Sequence, residues 1–241
     1  HLGPVAAGIK LANPGARVGY LMTDGAALPL AWSNLVGSLR GAGLVDVTCT
    51  SGHAFGGDLE AVNNFSGMAA LSTAGRADAI VVAMGPGVVG TDTSLGFTAM
   101  EQGPLLDASA ALGGRPIACL RISFVDERDR HYGVSHHCLT ALTIGTQRSC
   151  TVAVPELLDD QAQVVAGQLE SSGVAERHNL VMADGTEAIR RAIDEGIQLK
   201  SMGRAIEDNP EYFLAAGAAG VLAGRATLES SNDDPRAEDR T

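Results

Sequence analysis

The sequence predicts a doubly wound α/β domain, with a mostly parallel sheet and helices on both faces. Three observations predict it. Short apolar, β-rich runs alternate with longer amphipathic stretches along the chain, which is the pattern of successive βαβ units. The runs are apolar throughout rather than alternating, as in Ala79-Ile-Val-Val-Ala-Met84, and that fits strands covered on both faces. Asp-Gly pairs stand directly after two of the runs, at Asp24-Gly25 and Asp184-Gly185, where a strand-to-helix turn favours them.

Taken in order, a helical pattern at Val5–Leu11 precedes a first strand at Arg17–Met22. A helix over Ala27–Gly41 closes on Gly41-Ala-Gly43, as a left-handed C-cap does, and leads to a strand at Val45–Thr50. Asp58 is the expected N-cap of a helix over Asp58–Ala74, ahead of the strand Ala79–Met84. The next helix, Phe97–Leu112, ends on Gly113-Gly114, and Pro116–Phe124 reads as one strand. Ser135 caps a helix over Ser135–Gln147, followed by the strand Thr151–Val154 and a helix over Pro155–Ser171. A strand at Asn179–Met182 and helices at Thr186–Leu199 and Pro210–Ala223 complete a Rossmann-like or flavodoxin-like order. Residues 1–225 are read as a single α/β domain, and 226–241, polar and acidic, as a disordered tail. The chain starts at His1 without Met and is already helical by Val5, so an amino-terminal segment is expected to precede it.

Composition narrows the class. The chain has 241 residues, of which 45% are hydrophobic and 19% charged, enough to build a sizeable core and too aliphatic for general disorder. A net charge of -11 excludes a phosphate-backbone binder, so no nucleic acid is expected. No apolar run reaches the ~18–20 residues of a membrane span; the longest candidate, Phe213–Ala223, is short and rich in Ala and Gly. Cys49, Cys119, Cys138 and Cys150 form no Cys-x-x-Cys pair, so reduced thiols in a cytoplasmic protein are expected.

Ligands of open parallel sheets bind beyond the carboxyl ends of the strands, so the residues after each strand are the informative ones. They are Thr23-Asp24-Gly25, then Gly52-His53, then Gly85-Pro-Gly87-Val-Val-Gly90-Thr91-Asp92-Thr93, and then the run from Asp126 to His137. Four of the six histidines, His53, His131, His136 and His137, fall on this one edge. With Asp24 as a partner, they are the candidate catalytic residues. His136 and His137 lie in the first turn of a helix capped by Ser135, where the positive end of the helix dipole favours neutral imidazole. Neutral imidazole serves a general base or a metal ligand equally. The spacing is not a zinc signature, and neighbouring helix residues point ~100° apart, so the two are expected to serve differently. Whether the histidines hold an ion, move protons or only fix a loop stays open at this level; a divalent metal is one cofactor they could take.

Gly85, Gly87 and Gly90, with Thr91 and Thr93, form the candidate cofactor-binding turn. It matches Gly-x-Gly-x-x-Gly only formally, lacking the acidic residue of a dinucleotide site, and reads either as a cradle for a phosphate or carboxylate or as a plain glycine turn.

Three stretches resemble the bacterial domain-of-unknown-function family 3866. They are Gly52-His-Ala-Phe-Gly-Gly-Asp-Leu-Glu-Ala-Val-Asn63, Gly85-Pro-Gly87 with Gly90-Thr-x-Thr-x-x-Gly96-Phe97, and His131-x-Gly133-Val-Ser-His-His-x-Leu-Thr-Ala-Leu142. The resemblance runs from about residue 5 to about 224. It implies longer relatives with extra β-rich sequence at the amino end, of which this chain is the C-terminal two-thirds, and it implies no reaction. The chain departs from the pattern at Asp92, where the family has Gly between the threonines; a carboxylate there would repel an anion, which weakens the cradle reading or points it towards a cation.

Two classes of function follow. One is an enzyme acting on a small polar or anionic metabolite at the His/Asp/Gly-rich edge. The alternative is a protein without turnover: a metabolite-binding or regulatory protein, or an oligomeric scaffold whose small-residue helix, Phe213–Ala223, packs on a second subunit.

Overall fold

The computed structural model of the chain describes residues 1–233 other than Pro86, Asp92 and Met202. The first half runs α1 (Leu2–Ala12), β1 (Val18–Thr23), α2 (Asn34–Gly41), β2 (Val47–Ser51), β3 (Leu59–Ala61), α3 (Asn64–Thr73) and β4 (Ala79–Met84). The second runs α4 (Gln102–Ala111), β5 (Ile117–Cys119), β6 (Ile122–Ser123), β7 (Gly133–Val134), α5 (His136–Thr140), β8 (Thr151–Pro155) and α6 (Asp159–Ser171). It closes with α7 (Val174–Arg177), β9 (Asn179–Ala183), α8 (Thr186–Asp194) and α9 (Pro210–Asp233).

Four parallel strands pair in the order β3-β2-β1-β4, three more pair in parallel as β5-β8-β9, and β6 pairs antiparallel with β7. The chain winds outward from β1 to β3, then returns to β4 on the other side of β1. That reversal puts the topological switch point at the carboxyl ends of β1 and β4, where open α/β sheets receive ligands.

The alternation of side chains along β1 explains why helices cover both faces. Val18, Tyr20 and Met22 enter one core with Val5 and Ile9 of α1, Leu39 of α2, Ala192 of α8 and Ala216 of α9. Leu21 enters the opposite one with Cys49 of β2, Met68 and Leu71 of α3, and Leu105 of α4. A third core joins Val152 of β8 and Val134 of β7 to Val165 and Leu169 of α6 and Ala215 of α9. The fold is thus the doubly wound α/β architecture read from the sequence. Among the described residues no helix is long and apolar enough to cross a membrane.

Helix α9 is the residue run suggested above as a subunit contact, but its small residues are covered by this chain itself. A Cβ on Gly8 of α1 would lie 2.7 Å from Gly217 O and 2.8 Å from Val221 N, closer than real side chains approach, so the two helices touch backbone to backbone. α9 also continues to Asp233, so the tail expected from residue 226 is helical over its first half. Thr227 is buried and receives a hydrogen bond from Asn13 Nδ2 at 2.9 Å, and Glu229 pairs with Arg115 at 2.5 Å.

Local chemistry moves several other boundaries. Asp58 caps no helix; its carboxylate accepts the Thr48 N–H at 2.9 Å and pairs with Arg40, which places β3 where a helix was expected. The helix starts instead at the capping box of Asn63 and Ser66. The run Pro116–Phe124 divides into β5 and β6 because the Arg121 N–H turns aside to Cys138 Sγ. β4, expected to be covered on both faces, is an edge strand half-buried along its whole length, and Leu180 and Met182 of β9 are exposed.

The glycine contact gives a first test. Gly8→Val should lower the unfolding free energy by about 1–3 kcal/mol, an overpacking effect. Gly37→Ala, in a helix with nothing near the added methyl, should raise it by about 0.5–1 kcal/mol; urea unfolding of both variants checks the contrast.

Candidate metal centre

The site is assembled by the segment between β6 and α5. β7 pairs Gly133 with Ser123 and Val134 with Ile122, and Gln168 of α6 holds the same stretch from the other side. Its Oε1 accepts the Val134 N–H at 2.7 Å, and its Nε2 donates to Tyr132 O at 2.9 Å. Gly133 has φ +69, and a Cβ there would collide with the Gln168 amide, so only glycine fits this turn. Ser135 follows, fully buried, and caps α5 by accepting the His137 N–H at 3.3 Å.

This turn folds His131 back over the start of α5. The ring centroids of His131, His136 and His137 lie 5.0, 4.9 and 4.3 Å apart, and each offers a nitrogen within 4.8 Å of the others. Sequence reasoning set His136 and His137 to separate duties, because their Cα–Cβ bonds diverge. In the first turn of a helix, however, the side chains reach past its open end, and both rings lean towards His131. Phe97, itself buried, stacks on His137 at 4.0 Å and meets His136 edge-on at 5.6 Å, walling the cluster on one side.

The electrostatics keep His131 and His137 neutral. Burial pushes His131 down from 6.5 to about 4, helped by the charges of Arg121 and Arg128. Burial also brings His137 down to about 4, followed by the neighbouring His136 and His131 and then the two arginines. Those arginines are organised by Asp126, which is buried and bonded to Arg121 at 2.8 Å and to Arg128 at 2.9 Å. The Arg128 hydrogen bond, followed by that of Arg121, holds the Asp126 carboxyl well below the usual carboxylate range.

The remaining sequence candidates sit elsewhere on the strand ends. Asp24 receives the backbone N–H groups of His53 at 2.8 Å and Ala27 at 3.0 Å, which lowers its pKa and clamps the loop after β1 to the loop after β2. The His53 ring is exposed, lies outside the three-histidine cluster, and lines an open hollow of about 550 Å³ with Gly52, Glu60, Ala61 and Val62. In the glycine turn the Thr91 and Thr93 hydroxyls bond to each other at 2.9 Å and to the backbone of Gly96. Gly85 and Gly90 are small for packing reasons, against Met22 and Phe97, and Gly87 has φ +89. The proposed consequence of Asp92 falls outside the described residues.

Two further residues, one beside the histidines and one at the end of β1, were not singled out from the sequence. Phe97 looked like the start of an ordinary helix. Glu101, one turn later, accepts the Thr23 hydroxyl at 2.6 Å at the end of β1, and burial raises its pKa. The remaining buried histidine, His178, is structural: Nε2 donates to Leu142 O at 2.7 Å and Nδ1 accepts the Cys150 N–H at 3.2 Å.

Because His131 and His137 are held neutral in the fold, unfolding raises their proton affinity. The resulting stability is complete above about pH 6.5 and is lost as pH falls through about 4. Urea midpoints measured across that window without added metal should therefore fall more steeply for the wild-type chain than for His137→Gln. Parallel profiles would show that the ring carries no such shift.

No curated protein and no solved structure matches the chain. The family model for proteins of unknown function DUF3866 matches residues 1–220, beginning at the first residue rather than near residue 5. The chain belongs to the DUF3866 family.

Proposed function

We propose that His131, His136 and His137 bind one transition-metal ion, and that the protein is a metal-dependent enzyme acting on a small polar or anionic metabolite. One observation carries this reading: three imidazoles converge on a common point, with ligand atoms within 4.8 Å of one another. Imidazole suits zinc, copper, iron or nickel, whereas magnesium and calcium take oxygen ligands. Three protein ligands at about 2.0–2.1 Å would leave a tetrahedral ion one position for water or substrate, the arrangement of catalytic rather than structural sites. An ion there would supply Lewis-acid chemistry, polarising a carbonyl or phosphoryl oxygen or making a water acidic near neutral pH.

The protein's own groups would do the rest. Phe97 excludes water from one side of the cluster. Asp24 and Glu101, at the carboxyl end of β1, stand on the edge where open α/β sheets receive ligands and are the carboxyl groups offered to a substrate's protons.

Metal analysis after dialysis against Zn²⁺ or Co²⁺ should find about one ion per wild-type chain, and the same for His53→Ala, whose ring lies outside the cluster. His131→Ala and His137→Ala should each weaken binding more than about 100-fold, since a site of this kind depends on every ligand. Retention of full affinity by either would end the metal-centre reading. Hydrolysis of a p-nitrophenyl phosphate or acetate probe that appears with the ion, and is lost in the two ligand variants, would support turnover.

A further inference from the structure

Resting on the metal-centre reading, we propose that Ser135 is a positioning residue that fixes the tautomer of His131, so that His131 meets the ion through Nε2. The geometry is specific. Ser135 Oγ lies 2.7 Å from His131 Nδ1, inside the protein, and accepts the His137 backbone N–H at 3.3 Å. One hydroxyl therefore touches two of the three histidines of the cluster.

The Ser135 backbone is equally constrained. Its N–H donates to Arg121 O at 2.9 Å, and its carbonyl accepts the Cys138 N–H at 2.9 Å. The hydroxyl cannot drift away without breaking the start of α5. With Nδ1 engaged by this oxygen, the nitrogen left to His131 for coordination is Nε2. When the ion takes the Nε2 lone pair, the ring proton resides on Nδ1 and is donated to Ser135 Oγ. That proton placement raises the basicity of the ligand nitrogen and holds the ring plane, as outer partners of metal-bound histidines generally do. The serine looked at first like a helix cap alone; capping and ligand orientation are here the work of one oxygen atom.

The test uses the full chain with Zn²⁺, and long-range ¹H–¹⁵N spectra of the histidine side chains. In the zinc-loaded wild-type protein, His131 should show a protonated Nδ1 and a metal-bound Nε2. Ser135→Ala should weaken zinc binding by about 10–100-fold, and Ser135→Thr, which keeps the hydroxyl, should restore it to within about threefold. Ser135→Gly provides a second deletion of the hydroxyl if the alanine variant folds poorly, since glycine is a tolerable N-cap. A zinc-loaded His131 bound through Nδ1, or wild-type affinity in both the alanine and glycine variants, overturns the role of Ser135 while leaving the metal centre standing. A wild-type chain that takes up neither Zn²⁺ nor Co²⁺ overturns the metal centre itself.

Discussion

Where α1 meets α9, Gly8 faces Gly217 and Val221 with no side chain between them, and the two cores on either side of α9 depend on that closeness. Ala216 of α9 belongs to the core beneath β1, while its neighbour Ala215 belongs to the core beneath β8. A helix that serves two cores through consecutive residues must be thin, because each larger side chain would push one sheet away from the other. Dispersion contacts fall off steeply over fractions of an ångström. The small-residue composition is therefore a consequence of position.

The histidine cluster inherits its precision from this arrangement. β7 is fixed by β6 on one side and by Gln168 of α6 on the other, and α6 packs with Ala215 in the core beneath β8. The three rings are consequently placed by a strand pair, the Gln168 amide and a helix cap rather than by a free loop. Site residues held on such elements keep their geometry without rearranging at the moment of binding. Phe97 reaches the rings from the loop after β4, so the first sheet supplies a wall and the β6–β7 pair supplies the imidazoles.

Sequence reasoning succeeded where long apolar runs decide structure. β1, β4, β8 and β9 appear close to their expected positions because buried parallel pairing needs β-branched and aliphatic stretches. It failed where two or three polar-flanked residues form a strand. The Asp58 carboxylate, just ahead of β3, accepts the Thr48 N–H of β2, and Gln168 Oε1 accepts the Val134 N–H of β7; these partners are distant in the chain or hidden in a supposed helix. The candidate edge was legible as a clustering of histidines after strands, and Ser135 as a cap. The convergence of His136 with His137 was not, since a periodicity argument fixes Cβ directions and says nothing of where a ring ends. Glu101 was invisible for a similar reason: its partner, Thr23, lies 78 positions away.

The charges around the cluster decide what it can hold. A proton on His131 or His137 at pH 7 is disfavoured by about three pH units, or about 4 kcal/mol. A dication meets the same arginines. At an effective dielectric of ~20 and a separation on the order of 8 Å, one positive charge opposes it by about 4 kcal/mol, an opposition that the Asp126 carboxylate partly cancels. Coordination by several protein ligands is worth about 10–16 kcal/mol in zinc-binding peptides, well above that repulsion. A proton gains no comparable set of bonds, because it can occupy only one nitrogen. The same surroundings that keep protons off His131 and His137 thus leave their lone pairs ready for an ion able to engage the three rings together, and selectivity comes from the number of simultaneous donors rather than from net attraction.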